Sequence, residues 1–401
     1  MWTKNQIASM VAAGAILGAA PVAAEVFSGR GTSMGGAGAA GGDYTYSALI
    51  NPATATNFKE NDDFAFTVDV GLLANDVNDF IDSAENLTDY LDEIEEMYAT
   101  QDDADYLLDQ LQQMDRGRLT LDVGAQLTIA IPNSAASALL FVRESGFVAT
   151  ELELAEEDVD FLSNFGDRYL DIDINNPPSE DDLIIDGDDL MTEAAIKGYR
   201  MQEIGIALAR EFTFGETLVS LGITPKHQRV ETFEYSEVVA DFEGDDVEYE
   251  DYALEHTNFN VDLGATINWG ALQGGLSVRN ALAQEYETLS GDMEIQLEPL
   301  VTAGFGYTGE IFTVLADVDL TTTELFDGAG ATQNARLGIE MDLFDWAQLR
   351  VGYRHDMEGT YEDALTAGIG FSPFDVLHLH VSAIQASDNT YGAAVQFGIE
   401  L

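Results

Sequence analysis

The sequence predicts an all-β membrane protein, a single 14-stranded antiparallel transmembrane β-barrel. Apolar and polar residues alternate with a period of two from Phe64 onward, in runs of about ten residues, which suits tilted strands crossing a bilayer. The links between these runs alternate in length: long after odd-numbered strands, short after even-numbered ones. An even strand number with long loops at one end and tight turns at the other is the outer-membrane barrel pattern.

The first 24 residues read as a cleaved secretory signal, with Lys4, an apolar run from Ile7 to Val22 and a Val22-Ala23-Ala24 cleavage site. Residues 25–62 precede the first strand and contain "GRGTSMGGAGAAGG" (29–42). That stretch holds a G-x-G-x-x-G at Gly36, Gly38 and Gly41. No strand leads into it, so the dinucleotide reading fails and a tightly turning segment remains.

Residues 63–401 form the barrel. Strands fall near 64–74, 119–131, 138–153, 197–212, 217–235, 252–269 and 271–280. Seven more follow near 298–308, 311–320, 334–344, 347–356, 361–372, 375–385 and 390–401. In "TYGAAVQFGIEL", Tyr391, Ala393, Val395, Phe397, Ile399 and Leu401 share the face expected to meet lipid, and Gln396 and Glu400 the face expected to look inward.

Helical insertions interrupt the strands at about 75–118 and 154–196. Phe80, Leu87 and Leu91 belong to an apolar stripe at helical spacing, and 14 acidic residues with no basic one lie between Asp76 and Asp115. The expectation is an acidic helical hairpin above the barrel mouth. Its stripe is read as lid packing or as a capture groove for an apolar ligand.

The lumenal face carries charge: Asp262, Arg279, Asp317, Asp319, Arg336, Glu340, Asp342, Arg350 and Arg354. Inside a narrow tube these must pair, because an isolated buried charge is costly. Bracing of the barrel is one reading and a lining that selects a ligand is the other.

Composition excludes several functions. The chain has 16 Lys and Arg against 73 Asp and Glu, a net charge of −57, and no cysteine. Nucleic acid is therefore not an expected partner, and thiol chemistry is closed. "DIDIN" at 171–175 followed by Asp182 only faintly follows a calcium loop, with Asn176 at the turn position that calls for glycine. His378 and His380, two apart on one lumenal face, are read as satisfied lumenal histidines. No nucleophile elbow or zinc-protease helix appears, so no enzyme activity, cofactor or metal is expected.

The stretch "GRGTSMGGAGAAGGDYTYSALINPAT", with Met34-Gly35-Gly36 and Asn51-Pro52-Ala53, resembles the N-terminal signature of the FadL-like superfamily of outer-membrane barrels. "GITPKHQRVETFEY" (222–235), "NFNVDLG" (258–264), "LADVDLT" (315–321) and "LRVGYRHD" (349–356) look more specifically like the conjugal transfer TraF-type barrel family. The resemblance implies that residues 25–62 fold into the lumen as a hatch, with Gly35, Gly36, Asn51 and Pro52 shaping it. It further implies an outer-membrane location in a Gram-negative cell and passage of a hydrophobic ligand, with Phe80, Leu87 and Leu91 as candidate contacts. The partners expected are outer-membrane lipid, a hydrophobic ligand, or envelope and conjugation proteins around a monomer. A structural role in such an envelope machine is the alternative.

Overall fold

The structure is a computed structural model. It describes residues 27–401 apart from 60–61, 95–97, 170–183, 187–189, 240–248, 292–293, 327–329, 345 and 387–388. The signal segment and the calcium-like stretch at 171–182 lie outside the described residues.

The first seven strands are β1 (Ala65–Val77), β2 (Arg118–Ile131), β3 (Ser137–Glu153), β4 (Glu193–Phe214), β5 (Thr217–Val238), β6 (Ala253–Trp269) and β7 (Leu272–Arg279). A short hairpin follows, β8 (Gln284–Glu287) and β9 (Glu294–Leu297). The rest are β10 (Leu300–Thr308), β11 (Phe312–Asp319), β12 (Asn334–Phe344), β13 (Ala347–Asp356), β14 (Ala364–Phe371), β15 (Leu377–Ala386) and β16 (Thr390–Glu400). All but β8 and β9 join one closed antiparallel barrel of 14 strands. Closure comes from β1 pairing with β16, from Ala65↔Glu400 to Asn75↔Thr390.

The two faces separate as the alternation predicts. Val68, Val70 and Leu72 on β1 and Val395 and Phe397 on β16 are exposed, while Thr67, Asp69 and Gln396 between them are buried inside. Among the described residues no helix is long and apolar enough to cross a membrane. Exposed aromatics mark the short-turn end: Phe214, Trp269, Phe344, Trp346 and Phe374. Girdles of aromatic residues of this kind mark the membrane–water interface of transmembrane barrels. Phe374 stands 91% exposed at a turn tip with φ 63°, a backbone conformation that a bulky residue rarely adopts.

Strands β4 and β5 run 22 residues each, roughly twice the 9–11 that cross a bilayer. Their upper halves therefore stand in water, where outward apolar residues need protein cover. On β3 the outward face is exposed at Leu140 and Val142 but buried at Val148 and Leu152. The same switch occurs on β4 between Ile204 and Ile196, and on β5 between Ile223 and Phe233.

The cover is a helical layer of Phe80–Ile94, Gln101–Asp115 and Glu156–Ser163, whose Phe80, Leu87, Leu91, Leu107 and Leu162 join those strand residues in one core. This corrects the placement expected from sequence. The acidic hairpin packs on the outside of the projecting wall, not over the barrel mouth. Helical periodicity revealed the stripe but could not say which face of the sheet it meets. Inside the wall, Phe147, Tyr199, Met201 and Val230 pack against Tyr286, Ile295 and Leu297 of the β8–β9 hairpin and against Phe326.

The helical layer holds itself together with a compact polar joint. Asp103 caps its helix by accepting from the Thr100 backbone N–H at 2.6 Å, and it also accepts from the Tyr90 hydroxyl at 2.5 Å. That Tyr90 bond holds the Asp103 carboxyl below the usual carboxylate range and pushes the Tyr90 hydroxyl up to about 12.

The segment from Phe27 to Phe58 lies in the lumen, and the wall makes room for it with directly opposed glycines. Gly71↔Gly124 face Phe27, Gly338↔Gly352 face Met34 and Gly35, Gly275↔Gly304 face Ala39 and Ala40, and Gly222↔Gly264 face Pro52 and Ala53. A Cβ on Gly71 would lie 2.6 Å from the Phe27 ring, and one on Gly304 would lie 2.6 Å from the Ala40 nitrogen. Within the segment, Gly35 and Gly36 adopt φ of 69° and 81°, which only glycine holds without strain.

Two outcomes follow. Gly275→Val, which drives a side chain into the Ala39 carbonyl, is expected to cost about 1–3 kcal/mol of stability by overpacking and to expose residues 27–58 to protease in an otherwise folded barrel, read by limited proteolysis. For Asp103, a depressed folded-state pKa means stability that is present at neutral pH and lost as pH falls below the usual 3.8 through the folded value. The melting difference between wild type and Asp103→Asn, followed by circular dichroism, is therefore expected at neutral pH and expected to close in acid.

Candidate functional site

Between the lumenal segment below and the β8–β9 hairpin above lies a chamber of about 240 Å³. Gly36, Leu49 and Ile50 belong to its floor, and Gln296, Leu297 and Leu325 to its roof. Its side walls combine Phe141, Phe147 and Met201 with ionisable groups from strands all around the barrel. Both kinds of wall come from lumen-facing positions of the same alternating strands.

The floor is built by local capping. Asp43 opens the Tyr44–Ser47 turn by accepting from Thr45 N–H, and Asn51 opens the Pro52–Thr56 turn by accepting from Ala53 N–H at 3.0 Å. Asn51 also donates to the Ala39 carbonyl at 2.6 Å and to the Ala265 carbonyl of β6 at 3.2 Å, clamping two parts of the segment to the wall. Pro52 sits where a helix start needs no N–H. Wall groups complete the docking. Arg30 bridges Asp43 and Glu340 at 2.7 and 2.8 Å, and Asp317 Oδ2 accepts from the backbone N–H of Gly38 and Ala39 at 2.7 and 2.8 Å.

Charged lumenal residues gather into three groups. Glu203, fully buried, meets Arg143 and receives Lys226 at 3.0 Å and Gln228 at 2.7 Å; Lys226 also reaches Asp262 at 3.0 Å. Arg336 forks onto both oxygens of Asp319 at 2.8 and 2.9 Å, the planar two-bond geometry that suits guanidinium and carboxylate. Arg350 pairs with Glu340, which Arg30 also holds. Arg279 and Arg354 line the chamber as well. Asp342 stands near the short-turn end of β12, partly exposed and outside the chamber lining.

Phe80, Leu87 and Leu91 are buried in the outer helical layer and do not line the chamber. Conversely, Arg143, Glu203 and Lys226 were not singled out in the sequence. Their signal was available, since each interrupts an alternating strand on its polar face.

His378 and His380 face the lumen below the chamber. His378 Nδ1 lies 3.0 Å from the Ser372 hydroxyl with the Glu400 carboxylate 3.5 Å from Nε2, and His380 Nδ1 lies 3.1 Å from Arg350. Ser372, His378 and Glu400 thus converge, yet none of them borders the chamber. Among the described residues no group of three or more His, Asp and Glu is placed to hold a metal ion.

The family model for the F plasmid transfer operon TraF protein matches residues 48–319. No curated protein matches the sequence. Among solved structures, the fold is similar to a deltaS2S3 mutant of the monoaromatic hydrocarbon channel TodX, with a TM-score of 0.57 and 10% identity over 94% of this chain and 100% of that one. It is similar to the toluene transporter TbuX of Ralstonia pickettii, with a TM-score of 0.55 and 10% identity over 94% and 99%. The toluene transporter TodX of Pseudomonas putida gives 0.51 and 10% over 94% and 98%. At these identities the likeness is one of fold.

Lys226→Met would leave the buried carboxylates of Glu203 and Asp262 with one cation fewer. The expected cost is about 3–5 kcal/mol, the usual penalty for stripping one partner from a buried pair, seen as a lower denaturant midpoint for the purified barrel.

Proposed function

The chain belongs to the F plasmid transfer operon TraF protein family, and from that premise we propose that it is a bacterial outer-membrane barrel that binds or passes small hydrophobic molecules through a plugged lumen. The observation that carries this reading is the chamber itself. An apolar arc of Leu49, Ile50, Phe141, Phe147, Met201 and Leu297 faces a concave space directly on the N-terminal segment, and partly apolar concave sites of this kind are where small molecules bind. The similar folds include transporters of toluene, which lends support at the level of architecture.

In this reading residues 25–62 act as the hatch and the protein conducts or binds without catalysis. The three ion-pair groups hold the strands in register around the chamber. Lipid surrounds the apolar belt. The acidic outer face of the helical layer meets water, where a high net negative charge keeps copies apart, in keeping with a monomer.

The family match favours a second reading, in which the barrel is a structural part of a conjugation or other envelope machine. The two separate by phenotype. Transport predicts that cells lacking the protein take up a monoaromatic or alkane probe more slowly, and that Met201→Trp, which fills the chamber, weakens probe binding about tenfold, or 1.4 kcal/mol, with the barrel still folded. Unchanged uptake in the deletion strain together with a mating defect would favour the structural role.

A further inference from the structure

At the chamber wall, one buried carboxylate oxygen has no donor among the described residues. Asp317 on β11 is only 5% exposed and lines the chamber. Its Oδ2 is occupied by the Gly38 and Ala39 N–H groups of the lumenal segment. Its Oδ1 is buried with no hydrogen-bond partner among the described residues. The cross-strand neighbour that would satisfy it, Arg336, is engaged with both oxygens of Asp319 instead. A buried carboxylate oxygen left without a donor is costly, and the residue that carries it lines the chamber.

The surrounding charge points the same way. Nine carboxylates and five cations line the chamber, and Arg143, Lys226 and Arg336 are already committed to Glu203, Asp262 and Asp319. A second anion brought into this space would face an excess of negative groups. A donor would meet a ready acceptor.

Building on the reading that the chamber takes small apolar molecules, we propose that its preferred ligand carries a hydrogen-bond donor head, best a protonated amine, and that Asp317 Oδ1 is the anchor that selects it. The hydrocarbon part lies against Ile50, Phe141, Phe147 and Met201, and the head group reaches Asp317. Because the opposite oxygen of the same carboxylate holds the Gly38–Ala39 turn, the anchor also ties ligand binding to the lumenal segment.

The test uses the full-length protein in lipid nanodiscs at neutral pH, titrated with hexylamine, 1-hexanol and hexanoate, with empty nanodiscs subtracted for partitioning. Hexylamine is expected to bind tightest, about tenfold or more ahead of hexanoate. In Asp317→Asn the side-chain carbonyl still accepts the two backbone N–H groups, and its NH₂ turns to the chamber as a donor. Hexylamine is then expected to lose its lead and hexanoate to gain.

Equal binding of all three probes, or an order unchanged in Asp317→Asn, overturns the anchor while leaving a binding chamber standing. Binding of none of them overturns the chamber reading and the anchor together. Should Asp317→Asn fail to fold, the wild-type ranking decides by itself: hexanoate equal to or ahead of hexylamine refutes the proposal.

Discussion

Every backbone N–H and C=O that crosses a bilayer needs a partner on a neighbouring strand, because hydrocarbon offers none. The β1–β16 seam meets that demand by joining the two ends of the sheet across Ala65↔Glu400 to Asn75↔Thr390. Once the sheet is closed, its two faces meet different surroundings. Alternate side chains must suit lipid outside and an enclosed tube within, which is why the period-two pattern is so regular on β1 and β16. Closure at 14 strands also creates a difficulty, because a barrel much wider than eight strands is not filled by its own side chains. Residues 27–58 supply the missing interior. They fit because opposed wall glycines such as Gly71↔Gly124 and Gly275↔Gly304 let backbone approach backbone.

The charge distribution follows from the same geometry. A chain with a net charge of −57 places many of its few basic residues inside: Arg143, Lys226, Arg279 and Arg336 all border the chamber, and Arg350 is buried below it. In a medium of low dielectric an unpaired carboxylate is far more costly than in water, so the lumen needs those cations where the outer surface does not. The acidic helical layer can remain almost free of base because most of its acids meet water, and the buried Asp158 accepts from the Met191 and Thr192 N–H groups. This partition lets one lining serve two ends. The Glu203 and Asp319 groups tie strands together, and the Oδ1 of Asp317, a residue of the chamber lining, stays buried without a donor among the described residues.

The barrel was legible in the sequence because its two signals are redundant. Alternation in segments such as "NFNVDLGATINW" gives each strand, and the parity of loop lengths gives their order. The limits lie where a residue's meaning depends on its height above the membrane. Val148 and Phe233 fall on the outward side of the alternation, yet they rise above the bilayer and take helices as their cover, so the helical layer was placed over the mouth instead of on the wall. The β8–β9 hairpin, four residues a side, is too short for a period to register.

At the candidate site, the glycines of the N-terminal segment announced themselves, whereas the wall glycines that receive them are spread over eight strands. A Gly↔Gly trough becomes visible only once register is known. The charge list from sequence named Asp262, Asp317 and Asp319 and passed over Arg143, Glu203 and Lys226, whose place on the polar face was equally legible; only their assembly into one group depends on the register that joins Arg143 to Glu203. The similar folds share the barrel architecture.

The sidedness of the strands is the claim on which the rest stands, and the absence of cysteine makes it directly measurable. A nitroxide attached at one introduced cysteine at a time, from 391 to 399, in the full-length protein reconstituted into lipid bilayers, reports collision with oxygen dissolved in the hydrocarbon. The account predicts strong oxygen collision at Tyr391, Ala393, Val395, Phe397 and Ile399, and weak collision at Gly392, Ala394, Gln396 and Gly398. Collision that varies smoothly along β16 with no alternation, or oxygen-rich signals on the even positions, would contradict it.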